Sequence, residues 1–153
     1  LYGVHPYASL TRQGDKLLVP LTFPQAVPGA DRLQTLLQTT IDEAWDNKVQ
    51  IQFRAEKSPS LFELILDPVP QARAFVDYAK KVVHLYSATK IRGFAHELGH
   101  VLGLPDTYYT TYDPQKCGYQ QIQNTEDIMS ASYHGRGTAD EWTTLKKTYS
   151  ALP

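Results

Sequence analysis

Apolar and polar positions recur along this chain in short runs, and their spacing changes from segment to segment. From Leu17 to Phe23, the side chains of Leu17, Val19, Leu21 and Phe23 share one face of a strand. Pro20 has no N–H for a ladder, so this strand is predicted to lie at a sheet edge or to carry an irregularity there. A helix is predicted from about Asp31 to Asn47, where Leu33, Leu36, Leu37, Ile41, Ala44 and Trp45 form one stripe. Asp31 is its expected N-cap, with Gln34 at the third helical position. Val49, Ile51 and Phe53 then alternate with Gln50, Gln52 and Arg54, the pattern of a half-buried strand. Leu61 to Asp67, Ala72 to Tyr78 and Lys81 to Tyr86 read as further strands, followed by a helix from about Thr89 to Leu102. The Tyr- and Gln-rich stretch from Thr107 to Asp127 has little periodicity and is expected to carry function or to be mobile. A last helix opens at the capping box Thr138-Ala139-Asp140-Glu141, with Trp142, Leu145, Tyr149 and Leu152 as its apolar stripe. This order predicts an α+β domain, a twisted sheet backed by helices. No repeat, low-complexity segment or linker divides it, so residues 1–153 read as one domain.

Composition narrows the class. The hydrophobic fraction is 42% and the charged fraction 20%, values of an ordinary globular protein. A formal net charge of −1 gives no reason to expect nucleic acid or an anionic membrane surface as partner. No apolar run approaches the roughly 20 residues that span a bilayer. The chain opens Leu1-Tyr2-Gly3 with no basic-then-apolar leader, which fits a processed or trimmed protein. Cys117 is the single cysteine, so no disulfide forms within the chain. It reads as a loop thiol, with pairing to another chain or a latent metal contact as the sharper alternatives.

Chemistry concentrates in His96-Glu97-Leu98-Gly99-His100-Val101-Leu102-Gly103-Leu104-Pro105-Asp106. Residues four apart on a helix lie about 40° apart around its axis, so His96 and His100 can grip one ion without strain. Glu97 lies one step round, beside the metal's line, where a carboxylate can take a proton from the attacking water. Gly103 tolerates the left-handed conformation that ends a helix, and Pro105 forbids its continuation. Together they are expected to swing Asp106 back towards the two histidines as a third ligand. Three protein ligands leave one position for water, as in a catalytic zinc site. Glu126, by analogy with a distant acid on a later segment, and Cys117 are the rival third ligands. His5, His84 and His134 are expected at surface or structural positions. Asp113 and Asp127 match no calcium loop in their spacing.

This run resembles the extended zinc motif of the metzincin metallopeptidases, with Asp106 where most of that clan has histidine. It is most similar to the small snapalysin-type neutral proteases, which share the run His-Glu-x-Gly-His-Val-Leu-Gly-Leu-Pro-Asp. Metzincins also have a methionine turn beneath the metal, which Asp127-Ile128-Met129-Ser130 resembles. Met129 is the chain's only methionine. Some metzincins place a tyrosine two residues after that methionine, and Tyr133 is the corresponding, more distant candidate for a transition-state donor. The resemblance implies a metzincin-like (zincin) fold, a mixed sheet with an active-site helix and a C-terminal helix, and a zinc ion (Zn2+) as cofactor.

Activity is accordingly expected to be that of a zinc-dependent endopeptidase, with Glu97 as general base and acid. A protein or peptide substrate would add a strand at the sheet edge near Lys81 to Tyr86. Its specificity pocket is expected beside the motif helix, walled by the residues after Met129. A secreted or exported monomer with a pro-segment or inhibitor as further partner completes the expectation. The alternatives are a zinc-containing binding or toxin-like module without turnover, and a zinc hydrolase of non-peptide amides. Glu97 argues against the first of these, because a purely structural ion has no need of a neighbouring base.

Overall fold

In a computed structural model of the chain, which describes residues 4–23, 28–67, 73–86, 90–131 and 133–152, the alternating segments assemble one mixed sheet. Its strands are β1 (Thr11–Gln13), β2 (Lys16–Thr22), β3 (Val49–Arg54), β4 (Phe62–Asp67), β5 (Phe75–Asp77) and β6 (Val82–Tyr86). Strands β3, β2, β4 and β6 pair in parallel, while β1 and β5 run antiparallel to their neighbours. Helices α1 (Ala30–Ala44), α2 (Gly93–Val101) and α3 (Ala139–Thr148) follow the chain order expected for an α+β domain. The core is continuous across them, from Leu17, Val19 and Leu21 through Leu37 and Ile41 to Phe94, Leu98 and Leu145.

Pro20 sits in the interior of the sheet, and the predicted irregularity is what permits it. Leu17 N–H donates to the carbonyl of Lys48 and Phe23 N–H to that of Arg54, so odd-numbered residues of β2 point their backbone groups at β3. Pro20 therefore points at the opposite side. There β1 pairs only as far as Leu18 and β4 begins only at Leu21, leaving a gap at the proline. Tyr7 fills it: its hydroxyl donates to Pro20 O at 2.6 Å and accepts from Phe62 N–H at 3.1 Å.

The other free side of the sheet, at β3, is closed by a side chain. The Gln38 amide of α1 donates to Val49 O at 3.2 Å and accepts from Ile51 N–H at 2.8 Å. It imitates the backbone of a missing neighbour.

Several expectations need correction. Asp31 is not the N-cap of α1; Gly29, in a left-handed conformation, takes that place without a side-chain cap, and Asp31 stands in the first turn. The helix stops at Ala44 because Asp46 and Asn47 both adopt positive φ, at 53° and 56°. Leu36 is 48% exposed, so the buried stripe is Leu37, Thr40, Ile41 and Ala44, with Trp45 just beyond. The strand Lys81 to Tyr86 is no edge: β6 lies between β4 and β5, and the edge is Phe75–Asp77. Of the predicted termini, Ala72 and Thr89 lie outside the described residues.

The stretch from Thr107 to Asp127 is not structureless. It forms an antiparallel hairpin of β7 (Tyr109–Asp113) and β8 (Gly118–Ile122). Asp113 caps the turn by accepting from Gln115 N–H, and Cys117 takes the left-handed position there with φ 48°. Cys117 is exposed, which is the loop thiol expected.

Candidate metal centre

Helix α2 is buried over every residue from Gly93 to Gly99, which lets it carry polar groups into the interior only where they find partners. Its end is a Schellman closure: Leu104 N–H donates to Gly99 O and Gly103 N–H to His100 O, each at 2.9 Å. Gly103 has φ +101°, and a Cβ there would meet His5 O at 2.4 Å. Both the backbone angle and the packing therefore demand glycine. The reversal returns Asp106 to the helix, where its Oδ1 lies 3.1 Å from His96 Nε2 and 3.2 Å from His100 Nε2. The two Nε2 atoms are 3.1 Å apart, with the rings nearly perpendicular at 88°.

Whether a metal suits this place follows from where the protons are. His96 Nδ1 lies 2.8 Å from Ile128 O and His100 Nδ1 lies 2.8 Å from Leu104 O. A carbonyl only accepts, so each Nδ1 carries a proton, and in the neutral ring each Nε2 presents a lone pair. Three acceptor atoms thus face one another at close range, an arrangement that repels unless a cation or an added proton sits among them. Two imidazole nitrogens and one carboxylate oxygen form a donor set suited to zinc. Among the described residues these three make the one cluster of this kind.

Proton affinities in the centre answer the same crowding. Burial would raise that of the Asp106 carboxyl, but hydrogen bonds and charge from His100 and His96 hold it far below the usual carboxylate range. Burial lowers that of His100, yet contact with Asp106 outweighs this and the net shift is upward. Glu97 is itself buried, and desolvation raises its proton affinity against the opposing charges of His96 and His100. A carboxyl displaced towards neutrality is suited to take and return a proton.

A cleft of about 430 Å³ opens over these groups, lined by Arg73, Ala74, Phe75, Val76 and Tyr78 on one side and by His96, Glu97, His100, Asp106 and Tyr108 on the other. Tyr78 donates to His100 O at 2.9 Å, and its own hydroxyl proton is held up to about 12 by burial and then by the nearby Glu97 and Asp106 charges. A larger hollow of about 530 Å³ lies between α1 and β3, over Gln34, Gln38 and Gln50, but among the described residues it holds no ligand cluster. Chemistry, not volume, selects the smaller one.

Met129 is fully buried directly behind α2, where a Cβ on Gly99 would come within 2.2 Å of its Sδ. The same turn supplies the Ile128 carbonyl to His96, and Met129 O accepts from Thr107 N–H at 3.1 Å. The turn thereby touches both His96 and Thr107, the residue after Asp106. Other predicted residues stand elsewhere. Tyr133 is 43% exposed beneath Lys90 and is not among the cleft-lining residues. Glu126 is exposed and Cys117 lies in the hairpin turn, so neither joins the ligand cluster. Ser132, in the stretch expected to wall a specificity pocket, lies outside the described residues. His84 is stacked between Phe75 and Tyr86, and His5 packs against Tyr78. Sequence reasoning missed Arg73, Tyr78 and Gly99. The last was visible inside the motif itself, but only the depth of Met129 explains it.

Residues 76–151 match the family described as immune inhibitor A peptidase M6, catalytic domain. The chain carries a metallopeptidase domain. The match runs from β5 through α3, so this metallopeptidase segment holds the His96, His100 and Asp106 cluster, Glu97 and the Met129 turn. A solved structure of myroilysin superposes with a TM-score of 0.52 at 12% identity, covering 92% of this chain and 98% of that one. A crystal structure of myroilysin gives 0.48 at 13% identity, over 96% and 89%. The first of these likenesses is one of fold, and it fits a zincin-like α+β domain. No curated protein sequence matches the chain.

Proposed function

We propose that this metallopeptidase is a zinc-dependent endopeptidase, with His96, His100 and Asp106 as ligands and Glu97 as general base and acid. The observation that carries the reading is the meeting of three lone-pair atoms beside a buried carboxyl at the floor of an open cleft. A zinc ion held there supplies Lewis acidity towards water and the peptide carbonyl. Glu97 accepts the water's proton and then returns it to the nitrogen of the departing amine. Tyr108, which lines the cleft beside Asp106, is better placed than Tyr133 to donate to the developing oxyanion. Met129 supports the ligand helix from behind. The edge strand β5, whose outer side pairs with no strand among the described residues, offers backbone groups to an extended peptide, the role first expected of Lys81 to Tyr86.

The finer likeness to snapalysin-type proteases rests on the run from His96 to Asp106, and we retain it as part of the reading. So too is residues 1–153 as a single catalytic domain, acting as a monomer on protein or peptide substrates. An open peptidase cleft endangers the cell that makes it, which favours secretion or export. A purely structural zinc would call for a fourth protein ligand, and none joins these three among the described residues.

Glu97→Gln and Asp106→Asn separate the roles. The first is expected to keep near-stoichiometric zinc while kcat/KM on a quenched peptide falls by at least about 100-fold. The second is expected to lose most of its zinc by elemental analysis. Wild-type-like turnover in Glu97→Gln would sink the assignment of the base.

A further inference from the structure

The ligand set and its base leave one charged group of the cleft without a task. Arg73 stands two residues before the edge strand β5 and lines the cleft together with Glu97 and Tyr108. It is exposed and forms no ion pair with a carboxylate among the described residues. An arginine used for architecture looks different in this molecule. Arg92 donates to Gly135 O at 2.6 Å and lies 3.8 Å from Glu43, tying two elements together. Arg73 is instead a lining residue of the cleft, which it shares with Glu97, Asp106 and the phenol of Tyr108.

Charge makes the surplus plain. A divalent ion on two neutral imidazoles is balanced by Asp106 and an ionised Glu97. Arg73 is what remains, so the loaded cleft carries a net positive charge at one end. A planar fork of donors with a phenol beside it is a receptor for a carboxylate.

We propose that Arg73 is a specificity residue that receives a substrate carboxylate, supplied by an acidic side chain near the cleaved bond or by the peptide's free C-terminus. The proposal rests on the peptidase reading for its substrate. Arg73 lies at the N-terminal end of β5. A peptide pairing antiparallel to that strand brings its C-terminal portion there. The leaving-group side of the substrate is therefore the side that Arg73 reads.

Four quenched peptides test this. One pair carries Glu or Gln at each of the first two positions after the cleaved bond, with the C-terminus amidated. The other is a neutral peptide ending in a free carboxylate or an amide. The wild type is expected to favour one charged member over its neutral partner by about tenfold in kcat/KM. The preference should fall to about one in Arg73→Gln and be partly restored in Arg73→Lys, which keeps charge but not the fork. The pair that responds identifies the source of the carboxylate. Equal turnover of both pairs by the wild type, or a preference that survives Arg73→Gln, overturns the proposal. The same peptides, labelled, are titrated against the wild-type and Arg73→Gln proteins by fluorescence anisotropy. If nothing is cut but charged peptides bind preferentially through Arg73, the peptidase reading fails and the carboxylate site stands. If peptides are cut without charge preference, the reverse holds.

Discussion

Each imidazole at the centre is fixed by its far nitrogen, His96 by Ile128 O and His100 by Leu104 O, both at 2.8 Å. Those carbonyls choose the tautomer and so aim the Nε2 lone pairs. Gly99 between them is set by a different contact, the 2.2 Å that a Cβ would leave to Met129 Sδ. Gly99→Ala is therefore expected to shift Met129 or tilt α2, costing about 1–3 kcal/mol as an overpacked core does. Thermal melting and zinc content read that together, and an unchanged melting temperature with full zinc would refute the packing argument. At this scale the sequence was most legible where spacing alone sets geometry. The four-residue step between the histidines and the Gly103 reversal could be read directly, since helix pitch and a positive φ are local properties. The role of Gly99 could not, because its neighbour is 30 residues away. Tyr78 and Arg73 were hidden for the same reason: they reach the cleft from either end of β5, a distant segment of the chain.

Among the elements, α3 does more than close the chain. Its capping box forms as predicted, with Thr138 Oγ1 accepting from Glu141 N–H and Glu141 Oε2 accepting from Thr138 N–H. The other oxygen, Glu141 Oε1, is buried without a donor and faces Asp127. Two carboxyls can bond only if one is protonated. Burial first, and then this neighbour, raise the Glu141 pKa to about 8. Asp127 in turn accepts from Met129 N–H at 2.7 Å and from the Thr107 hydroxyl. A proton shared between Glu141 and Asp127 would join α3 to the Met129 turn. Since the folded protein holds that proton more tightly than the unfolded chain, its contribution is fully present below about pH 4.5 and is lost as pH rises towards about 8. Stability between those values should fall with pH more gently in Glu141→Gln, which keeps a donor towards Asp127 without titrating. Denaturant midpoints at pH 5, 7 and 9 for both proteins check this. Equal slopes would rule out the shared proton. The capping box was legible because it is a four-residue pattern. The hairpin β7–β8 was not, because none of its strand positions is buried and no apolar alternation marks it. Asp31 was misplaced because Gly29 ends its turn in a left-handed conformation that needs no side-chain cap.

Over the whole molecule the centre lies where three distant parts of the chain converge. α2 supplies His96 and His100, the loop after it Asp106, β5 the facing wall, and the Met129 turn packs against α2. Folding and metal binding should therefore be linked. Zinc at a hundredfold excess over its Kd is expected to add about 2.7 kcal/mol of stability, and a chelator to remove it. A melting temperature indifferent to both would show that the cluster takes no ion in the folded state. The α+β order and the sequence of helices could be read in advance, as could the Pro20 irregularity in outline. Strand order could not, because which strand is outermost depends on pairings across the chain, and that is why β5 rather than β6 forms the rim.

The amide of Gln38 occupies hydrogen-bonding groups of β3 that an extended peptide would otherwise use. A protease surrounded by unfolded chains gains little from a second place to hold them away from its catalytic groups. With that flank shielded, strand-like captives are directed to the rim where cleavage can follow, and sister molecules find less backbone on which to stack.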